Sequence, residues 1–178
     1  MTKKKEKILL TALHLFASNG YDATSTNRIA KDAGVSEGLI FRHYTNKEGL
    51  LKAIMELGRD RVESIYASIL TIEQPELRLK AILRMPFSIP ESDAPFWRLL
   101  YALKWQRDFY DDSWSKELRT VLKQTFSELG YEDPSSETEF IFMMIDGIAT
   151  GRLLRQPNYL DKIEELILTK YKLEKNEF

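Results

Sequence analysis

Residues 24–47 have the sequence TSTNRIAKDAGVSEGLIFRHYTNK, which predicts two short helices joined by a tight turn. The first helix has a small apolar face formed by Ile29, Ala30 and Ala33. Gly34 should end this helix, because glycine readily adopts the left-handed backbone conformation that follows a helix. Val35 is expected to be buried at the turn. Ser36 is suited to cap a second helix that runs to about Tyr44.

The second helix of this corner has an apolar side and an outward side. Ile40 and Tyr44 lie at core spacing, whereas the remaining positions of interest point away: Glu37, Leu39, Arg42 and His43. Two helices joined by a three- to four-residue turn with glycine are typical of a helix-turn-helix, whose second helix lies in the major groove of DNA. On spacing alone, an ordinary helical corner remains the alternative.

The residues around the corner carry a family resemblance. They resemble the N-terminal signature of the TetR family at Gly20, Tyr21, Thr24, Ser25, Ile29, Ala30, Ala33, Gly34, Val35, Ser36, Gly38, Ile40, Phe41, Tyr44, Lys47, Glu48 and Leu50. The resemblance covers roughly residues 5–52. It implies an all-α, nine-helix TetR-like fold. Residues 1–46 would form a three-helix helix-turn-helix head, and residues 47–178 a larger helical body for ligand binding and dimerisation.

Residue chemistry and the resemblance together indicate the DNA-binding set. It comprises Thr24, Ser25, Arg28, Ser36, Glu37, Gly38, Leu39, Phe41, Arg42, His43 and Lys47. Thr24 or Ser25 should cap the first helix of the corner, whose free backbone N–H groups suit a phosphate. The fork of Arg42 matches O6 and N7 of guanine. The resemblance implies phosphate contacts at His43 and Lys47.

Three residues depart from the family pattern. Phe41 stands where the family commonly has tyrosine, so one hydroxyl–phosphate bond should be missing. Tyr44 replaces the usual core phenylalanine, and its hydroxyl needs a partner if it is buried. Glu37 is repelled by phosphate unless it accepts from a cytosine amino group. These departures concern the operator sequence rather than DNA binding itself.

Composition sets the outer bounds. The 178 residues are 43% hydrophobic and 30% charged, as in a soluble globular protein, and there is no cysteine. Disulfides, thiolate metal sites and thiol redox chemistry are therefore excluded, and neither metal nor cofactor is expected. The sequence predicts no membrane span and no signal peptide, so a cytoplasmic location is expected.

Charge is unevenly distributed along the chain. Residues 1–47 hold eight Lys or Arg against four Asp or Glu, whereas the whole chain has a net charge of −1. A basic head on an acidic body would steer DNA towards one end. The head includes a terminal lysine run of Lys3, Lys4, Lys5 and Lys7. These lysines could contact phosphate or simply be solvated, and the sequence leaves both possibilities open.

Helical periodicity continues through the rest of the chain. Apart from the corner, predicted helices cover residues 3–18, 47–70, 75–85, 95–107, 113–129, 135–156 and 159–173. No Pro- or Gly-rich linker separates head from body, so residues 47–70 should form a continuous helical connection. The resemblance implies that this helix transmits ligand binding to the DNA-reading heads.

Aromatic residues are frequent in the middle of the body. Taken singly, each is most simply a core residue, but together they suit a hydrophobic pocket for an apolar or amphipathic ligand. The candidate ligand-binding residues are Tyr66, Phe87, Trp97, Arg98, Tyr101, Trp105, Phe109, Phe126, Met143 and Asp146. Asp146 interrupts an apolar helix, so it should be paired, exposed at an edge, or functional.

The last two predicted helices indicate a partner. Their apolar residues exceed what one face can bury, and Gly147 and Gly151 would let another helix approach closely. The alternative is that the body itself buries both helices. TetR proteins dimerise through these helices, and the resemblance assigns that role to Met144, Gly147, Ile148, Gly151, Ile163, Leu166 and Ile167.

These observations predict a homodimeric DNA-binding transcriptional regulator, most simply a repressor released from a palindromic operator by a small-molecule effector. Two other classes remain open. One is a helical interaction module without DNA binding, and the other is an enzyme acting in the aromatic pocket. No nucleophile elbow, phosphate loop or metal-spaced ligand set supports catalysis, so the protein is not expected to be an enzyme.

Overall fold

The structure, a computed structural model, describes residues 2–104, 113–155 and 158–173. Within these ranges it is entirely helical, as the sequence predicts. It comprises nine α-helices and two short 3₁₀ turns, Met85–Phe87 and Glu91–Asp93. The helices are α1 (Lys3–Asn19), α2 (Thr26–Ala33), α3 (Glu37–Tyr44), α4 (Lys47–Leu70), α5 (Pro75–Arg84), α6 (Ala94–Leu103), α7 (Ser113–Glu128), α8 (Pro134–Arg155) and α9 (Leu160–Lys170).

The chain divides into two compact units, one made of Met1–Val62 with Glu91–Tyr110 and the other of Glu63–Pro90 with Asp111–Phe178. We call them the N-terminal and C-terminal units. The division falls inside α4 rather than before it, and it places α6 in the same unit as α1–α3. The functional boundary after residue 46 stays a prediction, since compactness and function need not divide a chain at the same residue.

In the N-terminal unit, α1 supplies the largest share of the core. Its buried face consists of Ile8, Leu9, Ala12, Leu13 and Phe16, the face that the sequence predicts. The predicted apolar face of α2 is also buried, as are Ile40 and Tyr44 of α3. Gly58 of α4 lies against the ring of Phe96 on α6, where a Cβ atom would come within 1.9 Å of ring carbons. Glycine at this position therefore lets α4 and α6 pack closely.

The C-terminal unit has its own apolar core. Buried side chains from α4, α5, α7, α8 and α9 form one cluster: Ile69, Leu79, Ile82, Leu83, Leu118, Leu122, Phe126, Ile141, Ile167, Leu168 and Leu173. Buried Arg78 donates from Nε to Thr125 Oγ1 at 2.7 Å, and its guanidinium also pairs with Glu128. The charge inside this unit is thus hydrogen-bonded, which is what keeps a buried guanidinium tolerable.

The bounds of most helices agree with the sequence patterns, and two differences have a physical cause. The last helix ends at Lys170 instead of 173, because Lys172 adopts a left-handed conformation with φ of 55°. Its N–H donates to Thr169 O, and the next N–H reaches Leu168 O, which closes the helix end. The second difference is at Val35, which is only half-buried rather than fully buried.

Candidate nucleic-acid interface

The turn between α2 and α3 has the geometry that the sequence predicts. Gly34 adopts the left-handed conformation with φ 65° and ψ 40°, which costs a residue without a Cβ atom little. Its N–H donates to Lys31 O at 3.1 Å, and the N–H of Val35 donates to Ala30 O at 3.0 Å. These two bonds close the end of α2 and direct the chain into α3.

The two candidate caps of α2 have different roles. Ser25 is the N-cap, and its Oγ accepts from the backbone N–H of Arg28 at 3.1 Å. Thr24 is buried, and its hydroxyl donates to Gly20 O at 2.8 Å. The hydroxyl of Thr24 is therefore used inside the unit, whereas Ser25 lies at an exposed helix N-terminus that suits an anion.

One side of α3 lines an open groove. Phe41 is 45% exposed, Arg42 is exposed, and Leu39 is half-buried. No described atom lies within 4 Å of a Cβ atom built on Gly38, so its backbone is accessible from outside. The groove has a volume of about 560 Å³ and is lined by Lys4, Gly34, Val35, Ser36, Gly38, Leu39 and Arg42. Its glycines and basic groups suit a polyanion that approaches the backbone closely.

Two charged residues of the predicted set are engaged within the unit. Glu37 Oε1 accepts from the hydroxyl of Thr26 at 2.6 Å, which joins the start of α3 to the start of α2. Arg28 Nε donates to Asp32 Oδ2 at 2.8 Å along α2, and this carboxylate raises the pKa of Arg28. Sequence reasoning did not find the Thr26–Glu37 bond, because the two residues meet only once the corner has folded.

The phosphate-binding candidates lie beside the corner. Lys47 Nζ donates to Asp22 O at 3.3 Å and lies 4.2 Å from the ring centroid of Tyr21. His43 is half-buried, and its ring meets that of Tyr44 edge-on at 6.2 Å. Both side chains are thus held near the C-terminal end of α3. Ser36, the N-cap residue of α3, makes no capping bond with its side chain, which remains exposed.

A tight junction connects α3 to α4. Thr45 has a positive φ of 67°, and the N–H of Asn46 donates to Tyr44 O at 2.7 Å, which defines a strained three-residue turn. Asn46 Oδ1 then accepts from the N–H of Gly49 at 2.7 Å and caps α4. A Cβ atom on Gly49 would lie 2.1 Å from Tyr44 O. Glycine at this position is therefore required by the direct passage from α3 into α4.

The predicted ligand-binding residues are split between the two units. Trp97, Arg98 and Tyr101 belong to the N-terminal unit, where Trp97 packs edge-on against Phe96. Trp105 and Phe109 lie outside the described residues. The other five belong to the C-terminal unit: Tyr66, Phe87, Phe126, Met143 and Asp146.

The five residues of the C-terminal unit occupy different environments. Burial, and next the charge of Asp146, raise the pKa of Tyr66 to about 12, while Arg119 acts in the opposite direction. Phe126 is fully buried against Tyr131 and Tyr171, as an ordinary core residue, and Phe87 is partly buried against the same core. Asp146 is exposed and Met143 is 71% exposed, so Met143 faces outward in the single chain.

The predicted dimerisation residues also fall into two groups. Ile167 is buried in the core of its own unit, while Leu166 beside it is 50% exposed. On α8, Gly147 and Gly151 face open space, with no described atom within 4 Å of an added Cβ atom. Met144, Ile148 and Ile163 are partly buried against the core. The apolar exposure is extended by residues that sequence reasoning did not assign to this face: Phe140, Met143, Leu154 and Tyr159.

These exposed apolar residues share one spacing. Phe140, Met143, Gly147 and Leu154 follow one another at intervals of three, four and seven residues, which places them on one stripe of α8. We call the exposed residues of this stripe, with Gly151 and with Leu166 of α9, the apolar face. A periodicity test of α8 for a second apolar stripe would have found it.

Two further searches concern the described residues. None of their helices is long and apolar enough to cross a membrane. Nor do they contain a group of three or more His, Cys, Asp or Glu side chains able to hold a metal ion.

Sequence comparison gives matches confined to the N-terminal third of the chain. The family described as "Bacterial regulatory proteins, tetR family" matches residues 8–54. The uncharacterized HTH-type transcriptional regulator YerO of Bacillus subtilis is 41% identical over 56 residues, 32% of this chain and 19% of YerO. YvkB, a regulator of the same description and organism, is 44% identical over 55 residues, 31% of this chain and 29% of YvkB. The matches thus span less than a third of these relatives.

Solved structures match over most of the chain. The ketosteroid transcriptional regulator KstR2 of Mycobacterium tuberculosis has a TM-score of 0.74 at 21% identity, covering 96% of this chain and 93% of KstR2. AibR in complex with isovaleryl coenzyme A and operator DNA has a TM-score of 0.63 at 23% identity, covering 85% of this chain and 96% of AibR. At these identities the likeness establishes a shared fold.

Proposed function

Since the chain belongs to the TetR family of bacterial regulatory proteins, we propose that it is a transcriptional regulator that binds a specific DNA operator as a homodimer. The proposal rests mainly on the exposed side of α3, where Gly38 and Arg42 line an open groove at the end of a glycine-turned helical corner. Two curated relatives with this corner are described as HTH-type transcriptional regulators, and AibR has been solved with operator DNA.

In this proposal α3 enters the major groove. Arg42 donates two hydrogen bonds to a guanine, and Leu39 contacts a thymine methyl group. The absent side chain at Gly38 lets the backbone approach the bases. Around them, the exposed N-terminus of α2 at Ser25, together with His43 and Lys47, contacts phosphates and fixes the register.

The apolar face supports a homodimer. A monomer in water would leave Met143 and Leu154 more than two-thirds exposed next to two glycines that fill no space in their own chain. A second copy related by a twofold axis would cover the same face on both chains and let the two α8 helices approach at Gly147 and Gly151. A dimer of this kind favours a roughly palindromic operator with half-sites about 34–36 Å apart, or a multiple of that distance.

We further propose that a small apolar or amphipathic effector binds in the helical body and releases the operator, so that the protein represses transcription in the cytoplasm. AibR, with the same fold, is described in complex with isovaleryl coenzyme A. In this chain Tyr66 is largely buried near the charges of Asp146 and Arg119, which offers an apolar environment with a few polar groups. The effector would act by binding more tightly to the conformation that does not bind DNA.

The test is a selection of genomic DNA fragments by the purified protein, with the variant Arg42→Ala in parallel. We expect wild type to enrich a palindromic sequence. We expect Arg42→Ala to lose about 1–3 kcal/mol of discrimination at one base pair of each half-site. Lys162→Ala, which removes an exposed positive charge on α9, is the control for a change in overall charge and should select the same sequence.

Three outcomes would count against this function. Equal losses of Arg42→Ala on the selected sequence and on random DNA would make Arg42 a phosphate contact. Failure of wild type to enrich any fragment, even at low salt where phosphate contacts are strongest, would favour a helical interaction module without DNA binding. Chemical turnover of a compound bound in the body would indicate an enzyme.

A further inference from the structure

The first turn of α1 is tied to the C-terminal end of α3. The Tyr44 hydroxyl donates to the backbone carbonyl of Lys5 at 2.9 Å, although the two residues are 39 positions apart in sequence. The Lys5 ammonium lies 5.5 Å from the centroid of the same ring. Tyr44 is only 5% exposed, and burial raises the pKa of its phenol above the ordinary value of 10.0, so the hydroxyl stays a donor at physiological pH.

This tie gives the terminal lysines different surroundings. Lys5 lies over the Tyr44 ring, and the Lys7 ammonium lies near the turn, 3.6 Å from where a Cβ atom of Gly34 would be. Lys4 lines the groove that also contains Gly38 and Arg42. Lys3 is exposed and is not among the residues that line this groove. Within the described residues, no carboxylate forms an ion pair with Lys4.

We propose that Lys4 contacts a DNA phosphate at the edge of the groove that Arg42 reads, and that Tyr44 positions it there through its hydrogen bond to Lys5. The inference rests on the proposed function, since it adds a contact to the same DNA interface. The ammonium of Lys4 is suited to a phosphate because it is a compact positive charge at the end of a flexible stem. Arg42 on the neighbouring helix supplies the planar fork that a base edge requires.

The role of Tyr44 is positional. Its ring fills the core of the corner as phenylalanine would, so only its hydroxyl distinguishes the two residues. Without the hydroxyl, the first turn of α1 would keep its helical bonds but lose its fixed distance from α3. Because the ends of helices fray readily, Lys4 would then spend less time beside the groove.

The experiment measures binding to a labelled duplex carrying the selected sequence at several salt concentrations. Four proteins form a cycle: wild type, Lys4→Ala, Tyr44→Phe, and the double variant. Lys3→Ala is the matched control, since it removes the same charge from the neighbouring position. We expect Lys4→Ala to reduce the slope of log affinity against log salt by about 0.9 and to weaken binding about threefold to tenfold near 0.1 M salt.

Tyr44→Phe is expected to weaken binding less than Lys4→Ala, by about twofold to threefold, and to add nothing once Lys4 is absent. Lys3→Ala should leave the salt slope close to that of wild type. Circular dichroism and thermal unfolding on each protein separate loss of contact from loss of the fold. A hydroxyl needed only for folding would weaken binding by the same factor with or without Lys4.

Several results would overturn the inference. An unchanged salt slope in Lys4→Ala removes the phosphate contact, and equal effects of Lys3→Ala and Lys4→Ala attribute the effect to general charge. Additive effects of Lys4→Ala and Tyr44→Phe remove the positioning role of Tyr44. If wild type itself binds no duplex at low salt, the proposed function fails as well, and that outcome is distinct from the other three.

Discussion

Two surfaces of the protein carry helical glycines that face open space, and the two surfaces differ in the side chains around those glycines. On α3, Gly38 is accompanied by Arg42 and Lys4 in an open groove. On α8, Gly147 and Gly151 are accompanied by exposed apolar side chains, namely Phe140, Met143, Leu154 and, from α9, Leu166. In both places a missing side chain leaves room for something outside the chain.

The surrounding chemistry indicates what that partner is. Arginine and lysine beside an accessible backbone suit a polyanion whose phosphates remain hydrated, as in DNA. A stripe of exposed apolar residues gains free energy only when another apolar surface covers it, as in a protein dimer. Open glycines therefore indicate a close approach, and their neighbours distinguish nucleic acid from protein.

Other glycines of the chain are filled by their own fold. A Cβ atom on Gly49 would lie 2.1 Å from Tyr44 O, and one on Gly58 would lie 1.9 Å from the Phe96 ring. These positions are required for folding, whereas Gly38 and Gly147 are free in the single chain. Substitutions at the two kinds of position should therefore differ in what they damage.

The largest effect is expected at the apolar face. Gly147→Leu places a large side chain where the single chain has open space, so the monomer should remain folded while two α8 helices can no longer approach. We expect a monomer by sedimentation velocity. We also expect operator affinity to fall about a hundredfold or more, because the two half-sites are no longer bound together.

Lys123→Leu is the control for this variant, since it adds a leucine on α7, an exposed position of the same unit. It should sediment as wild type does. A sedimentation coefficient and melting temperature of Gly147→Leu equal to those of wild type would contradict a close approach at this glycine.

A smaller effect, on stability, is expected at Gly49. Gly49→Ala forces a methyl group into the Tyr44 carbonyl at the junction of α3 and α4, so the backbone must shift. We expect a loss of about 1–3 kcal/mol in the free energy of unfolding, measured by urea denaturation. Equal stability of the variant and wild type would show that the junction can relax without cost.

The smallest effect on stability, with the opposite sign, is expected at Gly38. Gly38→Ala adds a methyl group in open space and favours the helix, so stability should rise by up to about 1 kcal/mol. Operator affinity should fall about tenfold if DNA approaches this backbone closely. Measuring both quantities on one preparation is decisive, because a variant that is more stable and binds operator as tightly as wild type rules out the close approach.

Much of the fold could be predicted because its signals are local. Helix α4 begins and ends where the pattern of residues 47–70 predicts, and Gly34 takes the left-handed conformation expected of a helix-ending glycine. The buried face of α1 is likewise the one indicated by helical spacing. Periodicity and turn chemistry involve residues within a few positions of one another, so the sequence contains them directly.

The candidate sites were harder to predict, because adjacent residues can have opposite roles. Both Thr24 and Ser25 suit a helix cap, yet Thr24 is buried and bonded to Gly20 while Ser25 caps α2. Ile167 and Leu166 both suited a dimer face, yet only Leu166 is exposed. A rotation of one residue along a helix turns a side chain by about 100°, which sequence patterns resolve poorly.

The sequence by itself determined the helical architecture, the glycine-turned corner and the position of the basic residues within the first 47 residues. These depend on backbone propensity and hydrophobic spacing, which act over one or two helical turns. Only the tertiary structure decided that Tyr44 donates to Lys5, that Thr26 donates to Glu37, and that Lys4 shares a groove with Arg42. Those contacts join residues far apart in the chain, and their geometry exists only after the helices have packed.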